Sequence, residues 1–232
     1  MKKITLTLLG LFAMSTSALA QQEVKFGPKA GVNFASINGK VTEEGETFEF
    51  DKGQTGFHIG AVAEIKFNEK FAIQPELLYS VQGGKFEESG AETIMGQTFA
   101  YEAELKWNLH YINIPIMAKY YVIPSVAIEA GPYVGINIKS ERKYEGSFSA
   151  AGVTESENEA YDFKKGTNAV DFGLGFGASF NMDNGFFVGA RYNLGLAKIS
   201  KDAKWTEGDV EFEITNEDFK NGVIQVSVGY KF

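Results

Sequence analysis

The last twelve residues, 221–232, constrain the fold more than any other stretch, because they alternate with a strict period of two. Large apolar side chains share one face, and the intervening residues are mostly small or polar. The apolar face comprises Ile224, Val226, Val228, Tyr230 and Phe232. This pattern predicts a β-strand. An open edge here would expose unpaired backbone groups, so we expect the strand to close a barrel by pairing with the first strand.

Seven earlier segments alternate in the same way. They are residues 24–36, 54–67, 71–85, 105–122, 126–144, 167–182 and 186–200. In nearly every segment one face carries no charge, and the other carries Lys, Arg, Asp or Glu. A soluble barrel of the lipocalin type would turn its charged face to the solvent. In a membrane, Arg or Lys facing lipid costs roughly 2 to 4 kcal/mol at the midplane, so the charged face must line the lumen. The sequence therefore predicts an all-β fold, an eight-stranded antiparallel transmembrane β-barrel.

The connections between these segments alternate between long and short. Residues 37–53, 86–104, 145–166 and 201–220 are long and polar, whereas residues 68–70, 122–125 and 183–185 are tight turns. Outer-membrane barrels have short periplasmic turns and longer external loops, and a chain that begins in the periplasm makes its first connection outside. The order of lengths therefore predicts this orientation, with long external loops.

Four prolines lie inside the predicted strands, at Pro28, Pro75, Pro115 and Pro132. Each removes one hydrogen-bond donor from the ladder, and a closed barrel has no free edge for them. We therefore expect β-bulges or local bends at these positions.

The first twenty residues have the pattern of a secretory signal peptide. Lys2 and Lys3 precede an apolar run, residues 4–13, and small residues lead to Gln21. Ten apolar residues are too few for a spanning helix, which needs roughly 20. The expected domains are a signal peptide, 1–20, and an outer-membrane barrel, 21–232. Cleavage of this signal peptide would remove Lys2 and Lys3 and no acidic residue, so the net charge would move from −8 to −10 (−8 − 2 = −10). An acidic chain of this kind is not a general nucleic-acid binder, and without cysteine it has no disulfides.

Three short motifs and the signal peptide carry a family resemblance. They are Lys-Ala-Gly-Val-Asn-Phe at 29–34, Asn-Ile-Pro-Ile-Met-Ala-Lys-Tyr at 113–120 and Val-Gly-Tyr-Lys-Phe at 228–232. With them the chain resembles the PorT-like outer-membrane β-barrel family of Bacteroidetes-type bacteria over essentially its whole mature length. The resemblance implies an eight-stranded barrel in the cell outer membrane, usually without an assigned biochemical role.

Five charged residues on the predicted lumen face lie at similar depth from the short turns. They are Glu64, Glu76, Lys119, Glu129 and Arg191. Hairpin register can set Lys119 opposite Glu129, and Arg191 opposite Gly175 or Gly177. Eight strands enclose an interior that side chains can fill. We therefore expect a lumen charge network in the periplasmic half that plugs the barrel.

The final aromatic residues resemble the C-terminal signal by which outer-membrane barrels are recognised for insertion. We expect Tyr230 and Phe232 to lie in the periplasmic aromatic girdle and to contribute to membrane assembly.

Other candidate sites have simpler interpretations. Gly173, Gly175 and Gly177 lie within a strand with no following helix, which argues against a nucleotide site. His58 faces in and His110 faces out, and hydrogen bonding at the rim is favoured over catalysis or metal binding for both.

Acidic residues in the long connections could bind divalent cations between lipopolysaccharides. They include Glu43, Glu44, Glu46, Glu87, Glu88, Glu155, Glu157, Asp209, Glu211 and Glu213. They lack calcium-ligand spacing, so a solvated acidic surface is favoured.

The predicted function is a structural or surface-interaction role for a barrel with a plugged lumen. The alternatives are a small-solute channel, which requires a continuous wet lumen, and a lipid- or lipopolysaccharide-modifying enzyme, which requires convergent polar residues at the outer rim. We expect no catalytic residues, no metal and no cofactor. The expected partners are outer-membrane lipid and lipopolysaccharide, the barrel-assembly machinery and an extracellular ligand, with no nucleic acid.

Overall fold

The computed structural model describes residues 23–43, 46–94, 97–150, 153–207, 210–214 and 218–232. The predicted signal peptide lies outside these residues. The strands are β1 (Glu23–Asn38), β2 (Val41–Glu43), β3 (Glu46–Phe48), β4 (Lys52–Lys66), β5 (Phe71–Ile94), β6 (Gln97–Ile123), β7 (Val126–Ala150), β8 (Val153–Asp162), β9 (Val170–Asn181), β10 (Phe186–Gly195), β11 (Ala203–Glu207), β12 (Val210–Ile214) and β13 (Lys220–Tyr230). One turn of 3-10 helix, Lys164–Gly166, precedes β9. Across the described ranges, no helix has the length and apolar character to span a bilayer.

Eight of the strands close into a barrel. Around the ring the order is β1, β4, β5, β6, β7, β9, β10 and β13, and every neighbouring pair is antiparallel. The last strand pairs with the first, from Lys29 opposite Gly229 to Asn38 opposite Lys220. The prediction of an eight-stranded barrel closed by the C-terminal strand is confirmed.

The alternating residues of each barrel strand face the outer surface and the lumen in turn. Phe172 on β9 is 52% exposed on the outer surface, whereas its neighbour Asp171 is 3% exposed and faces the lumen. Large apolar side chains are exposed in the same way on all eight barrel strands. The barrel therefore carries an apolar belt outside and polar side chains inside, which is the arrangement that a bilayer requires.

All four predicted external loops contain paired strands, and two of them are strand over nearly their whole length. The prediction for residues 86–104 is wrong, because β5 and β6 stay paired from Phe86 opposite Leu105 to Ile94 opposite Gln97. The prediction for 145–166 is wrong in the same way, because β7 continues to Ala150 and β8 returns along it. We call residues 86–94, 97–105, 141–150 and 153–162 the projecting sheet. One face mixes aromatic rings with glutamates and the other is mostly polar, so these strands lack the sharp apolar contrast by which the barrel strands were recognised.

The prolines cause no change of register. Shifts occur between Gly53 and His58 in the β4–β5 pairing, and at two places in the β6–β7 pairing. The expectation of bulges at the prolines is therefore wrong. Individual pairs are missing beside Pro75 and Pro115, but the ladder resumes in the same register. Each proline removes only one donor, and the hydrogen bonds on both sides hold the strands.

Candidate functional site

The lumen contains two groups of ion pairs. In the first, Glu76 accepts hydrogen bonds from Lys29 Nζ at 2.9 Å and from both terminal nitrogens of Arg191 at 2.9 and 2.6 Å. The Nε of Arg191 also donates to Glu129 Oε1 at 2.8 Å. All four side chains are buried. The forked Arg191 side chain thus holds two carboxylates that belong to different strands.

In the second group, Glu64 is the shared acceptor. Lys119 Nζ, Lys231 Nζ and the Tyr121 hydroxyl donate to it at 2.9, 2.7 and 2.8 Å. Gln74 joins the two groups, since its Nε2 donates to Glu76 Oε1 at 2.7 Å and its Oε1 accepts from Lys119 at 3.0 Å. We call these connected side chains the lumen network. It is continuous across the barrel interior.

All five charged residues predicted for the lumen lie within this network. The register places Lys119 opposite Glu129 and Arg191 opposite Gly177. The contacts nevertheless cross the lumen, because Lys119 reaches Glu64 and Glu129 reaches Arg191. The hairpin register specifies which residues are neighbours in the sheet, whereas long side chains in a narrow lumen can contact residues of strands that are not neighbours.

Lys29 and Lys231 were missed as members of the network. Their alternation places both on the lumen face, and this signal was present in the sequence. Their depth in the lumen could not be predicted, because no hairpin turn joins β1 to β13 and depth was counted from the turns. Gln74 and Tyr121 were missed because the search considered only charged side chains.

A neutral polar layer includes His58. Its Nδ1 lies 2.8 Å from Asn33 Oδ1, and its Nε2 lies 2.9 Å from Ser227 Oγ. His110 faces outward, with its Nδ1 2.6 Å from the Tyr79 hydroxyl. Both histidines are therefore used in hydrogen bonds between neighbouring side chains. In the described part of the chain, no three His, Cys, Asp or Glu side chains form a group that could hold a metal ion.

Apolar residues close the external mouth of the barrel. The cluster consists of Ile37, Phe50, Trp107, Leu109, Tyr111, Phe163, Ile199, Trp205 and Phe219, with Phe86, Ala203 and Phe212 packed against it. We call it the aromatic cap. Trp205 stacks on Phe212 with ring centroids 5.2 Å apart, and Arg142 lies 3.8 Å from the centre of the Phe163 ring. The cap combines residues of five separate segments, so no single strand pattern could predict it.

The outer face of the projecting sheet carries a ladder of ion pairs. Lys52 contacts Glu87 at 3.2 Å, and Lys106 contacts Glu145 at 3.2 Å and also Glu104. The hydrogen bond from Lys85 lowers the pKa of Glu87 to about 2. Four glutamates of this face are thus paired with lysines: Glu87, Glu104, Glu141 and Glu145. The ladder lies just beyond the external border of the apolar belt.

The inner face of the same sheet, which continues from the aromatic cap, is different. Tyr101 is 44% exposed and Phe148 is 51% exposed, and both line a shallow depression of about 550 Å³ with Tyr144, Glu155 and Glu157. Across the described residues, no Lys or Arg nitrogen lies within 4 Å of the carboxylates of Glu155 and Glu157. Exposed rings and unpaired carboxylates therefore share one face.

The remaining predicted acidic positions do not form one site. Glu44 and Asp209 lie outside the described residues, as do the side chains of Glu43 and Glu46. Glu211 and Glu213 both contact Lys204, at 3.2 and 3.4 Å.

The C-terminal aromatics lie at the periplasmic end. Phe232 is 73% exposed, and its N–H donates to Phe26 O at 2.9 Å, which joins the chain end to β1. The Tyr230 ring lies 4.9 Å from that of Phe186. Their part in assembly stays a prediction.

Comparisons with known proteins find one matching family and several similar solved structures. The model of a family described as outer membrane protein beta-barrel domain matches residues 19–201. No curated protein matches the chain. Among solved structures, Ail of Yersinia pestis is 15% identical with a TM-score of 0.44, over 90% of this chain and 99% of that one. Neisserial surface protein A is 12% identical with a TM-score of 0.34, over 90% and 99%. CarO of Acinetobacter baumannii is 14% identical with a TM-score of 0.35, over 89% and 97%.

Proposed function

The chain belongs to the outer membrane protein beta-barrel domain family and lies in the outer membrane, and we propose that it is a closed barrel with a structural or surface-interaction role. One observation carries this proposal: the interior is filled by the lumen network and the mouth by the aromatic cap. A barrel closed in this way offers its external surface to partners, and the projecting sheet is part of that surface.

The closed interior argues against the small-solute channel. Beside Lys29, Gln74 and Arg191 the free space is about 10 Å³. A single water molecule needs a cavity of roughly 10 to 15 Å³. At this layer the space is at the lower limit for one water molecule, which argues against a wide, water-filled passage. The enzyme alternative is weaker still, because the outer rim holds packed apolar rings where a convergent polar cluster would be required.

The proposed partners follow from the outer surface. The apolar belt contacts membrane lipid, and the ion-pair ladder at its external border faces the headgroup region of lipopolysaccharide. The resemblance to PorT-like barrels implies no particular role, so these partners are proposed from the surface alone, and an extracellular ligand would meet the projecting sheet.

The C-terminal aromatics are proposed to act in assembly. Deleting Phe232 should reduce the yield of inserted barrel more than the stability of barrels already folded, because its side chain is exposed and only its backbone holds β1. Normal insertion of the truncated chain in cells would contradict this role.

Liposome swelling tests the closed barrel. Liposomes that contain the protein should not swell in isotonic solutions of small sugars, whereas liposomes with a general porin should. Rapid swelling with the wild-type protein would refute the proposal and favour the channel. Heat-modifiable migration of the same preparation in detergent verifies that the barrel is folded.

A further inference from the structure

The projecting sheet ends in an open edge. In the order of strands β8 is terminal, and among the described residues it pairs only with β7. Residues 153–160 are all exposed. An edge strand presents a row of unpaired N–H and C=O groups, onto which another extended chain can add. The edge is therefore available to a partner.

Aromatic and acidic side chains line this edge on the inner face. The register sets Phe148 opposite Glu155, Gly146 opposite Glu157 and Tyr144 opposite Glu159. The next strand adds Tyr101, which is opposite Phe148. Carboxylates thus follow β8 at every second residue, with exposed rings beside them.

We propose that this face and edge bind an extended segment of a partner polypeptide that carries Lys or Arg at alternate positions. The inference rests on the proposed surface-interaction function and names its partner class. An added strand would place every second side chain opposite Glu155, Glu157 and Glu159, where cross-strand pairs of opposite charge are favourable. The same cations would lie near the rings of Tyr144 and Phe148, which favour positive charge above their faces.

The spacing of the carboxylates along β8 matches that of side chains on an extended polypeptide. Residues two apart in a strand repeat at about 6.6 to 6.8 Å, which is also the repeat of side chains on an added strand. A second copy of β8 is disfavoured, because it would set glutamates opposite glutamates across the new edge.

The test uses the full mature protein in lipid nanodiscs and two capped peptides of the same composition. One alternates, Lys-Thr-Lys-Thr-Lys-Thr-Lys, and the other is blocked, Lys-Lys-Thr-Thr-Thr-Lys-Lys. The alternating peptide should bind more tightly by about fivefold or more, because only it presents all its cations on one face. Binding of the alternating peptide should also slow amide hydrogen exchange in residues 153–160.

Matched variants locate the site. Glu157→Gln should weaken binding of the alternating peptide about threefold, and Glu155→Gln with Glu157→Gln should weaken it further. Glu69→Gln removes the same charge from the turn between β4 and β5, at the opposite end of the barrel, and should leave the dissociation constant unchanged within about twofold. Phe148→Ser should weaken binding about twofold to fivefold without any change of charge. Heat-modifiable migration verifies that each variant is folded.

Three results would overturn the inference: equal binding of the two peptides, equal weakening by Glu69→Gln and Glu157→Gln, or unchanged exchange in β8. Liposome swelling on the same preparations keeps the two proposals separate. Swelling would refute the closed barrel whatever the peptides do, whereas tight liposomes without a peptide preference would refute only the proposed partner.

Discussion

The lumen and the inner face of the projecting sheet both carry glutamates, but only those of the lumen are neutralised. Glu64 and Glu76 each contact two cationic side chains. Glu155 and Glu157 contact none among the described residues. The difference follows from solvation, since a buried charge must be paired whereas an exposed one is stabilised by water. Burial therefore pairs the lumen charges within the fold, whereas the exposed carboxylates of the sheet are solvated by water.

The largest expected effect is that of Arg191→Ala. It removes the cation that holds both Glu76 and Glu129, and stranding one member of a buried pair typically costs about 3 to 5 kcal/mol. Urea unfolding in lipid vesicles measures the loss in the free energy of unfolding. A loss below about 1 kcal/mol would mean that lumen charges behave like surface charges, and the contrast between the two regions would fail.

An intermediate effect is expected for Gln74→Leu. The variant keeps the volume but removes the amide that links Lys119 to Glu76. Loss of hydrogen bonds to buried charged groups should lower the free energy of unfolding by roughly 1 to 3 kcal/mol. A change indistinguishable from zero would show that the two ion-pair groups are independent.

A small effect is expected for Lys106→Ala, which lies next to the outer face of the projecting sheet. Lys106 contacts Glu104 and Glu145, and these side chains are all partly open to solvent, with 23 to 48% of their surface exposed. Exposed pairs contribute about 0 to 1 kcal/mol, so the free energy of unfolding should change by no more than that, and the change should shrink at high salt. A loss as large as that of Arg191→Ala would remove the distinction between sheet and lumen.

The smallest effect concerns the titration of Glu87. The hydrogen bond from Lys85 lowers its pKa from 4.5 to about 2. The contribution of this pair is therefore complete above pH 4.5 and is lost as the pH falls through about 2. In the variant Lys85→Ala the titration midpoint, followed by carboxyl NMR, should move upward. An unchanged midpoint would contradict the assignment of Lys85 as the main cause.

The sequence predicted the barrel well and the external structure poorly, for one physical reason. Barrel strands have one face in lipid, so residues such as Phe172 and Asp171 alternate sharply and reveal both strand and orientation. In β8 both faces meet water, and Glu155 alternates only with other polar residues. That contrast is too weak to separate a strand from a loop.

The lumen residues were predictable by position but not by partner. Parity and the short turns located Glu76 and Arg191 at one depth, whereas their contact depends on the narrow barrel interior. The aromatic cap could not be predicted from the sequence, because Trp107, Phe163 and Trp205 meet only after three distant segments have folded.

Single-channel recording in planar bilayers tests the central claim most directly, which is that paired charges close the lumen. The wild-type protein should show at most small, unsteady currents, because buried ion pairs occupy the lumen and packed apolar rings occupy its external mouth. Large, steady single-channel conductance from the wild-type protein would contradict the account and establish the barrel as a channel.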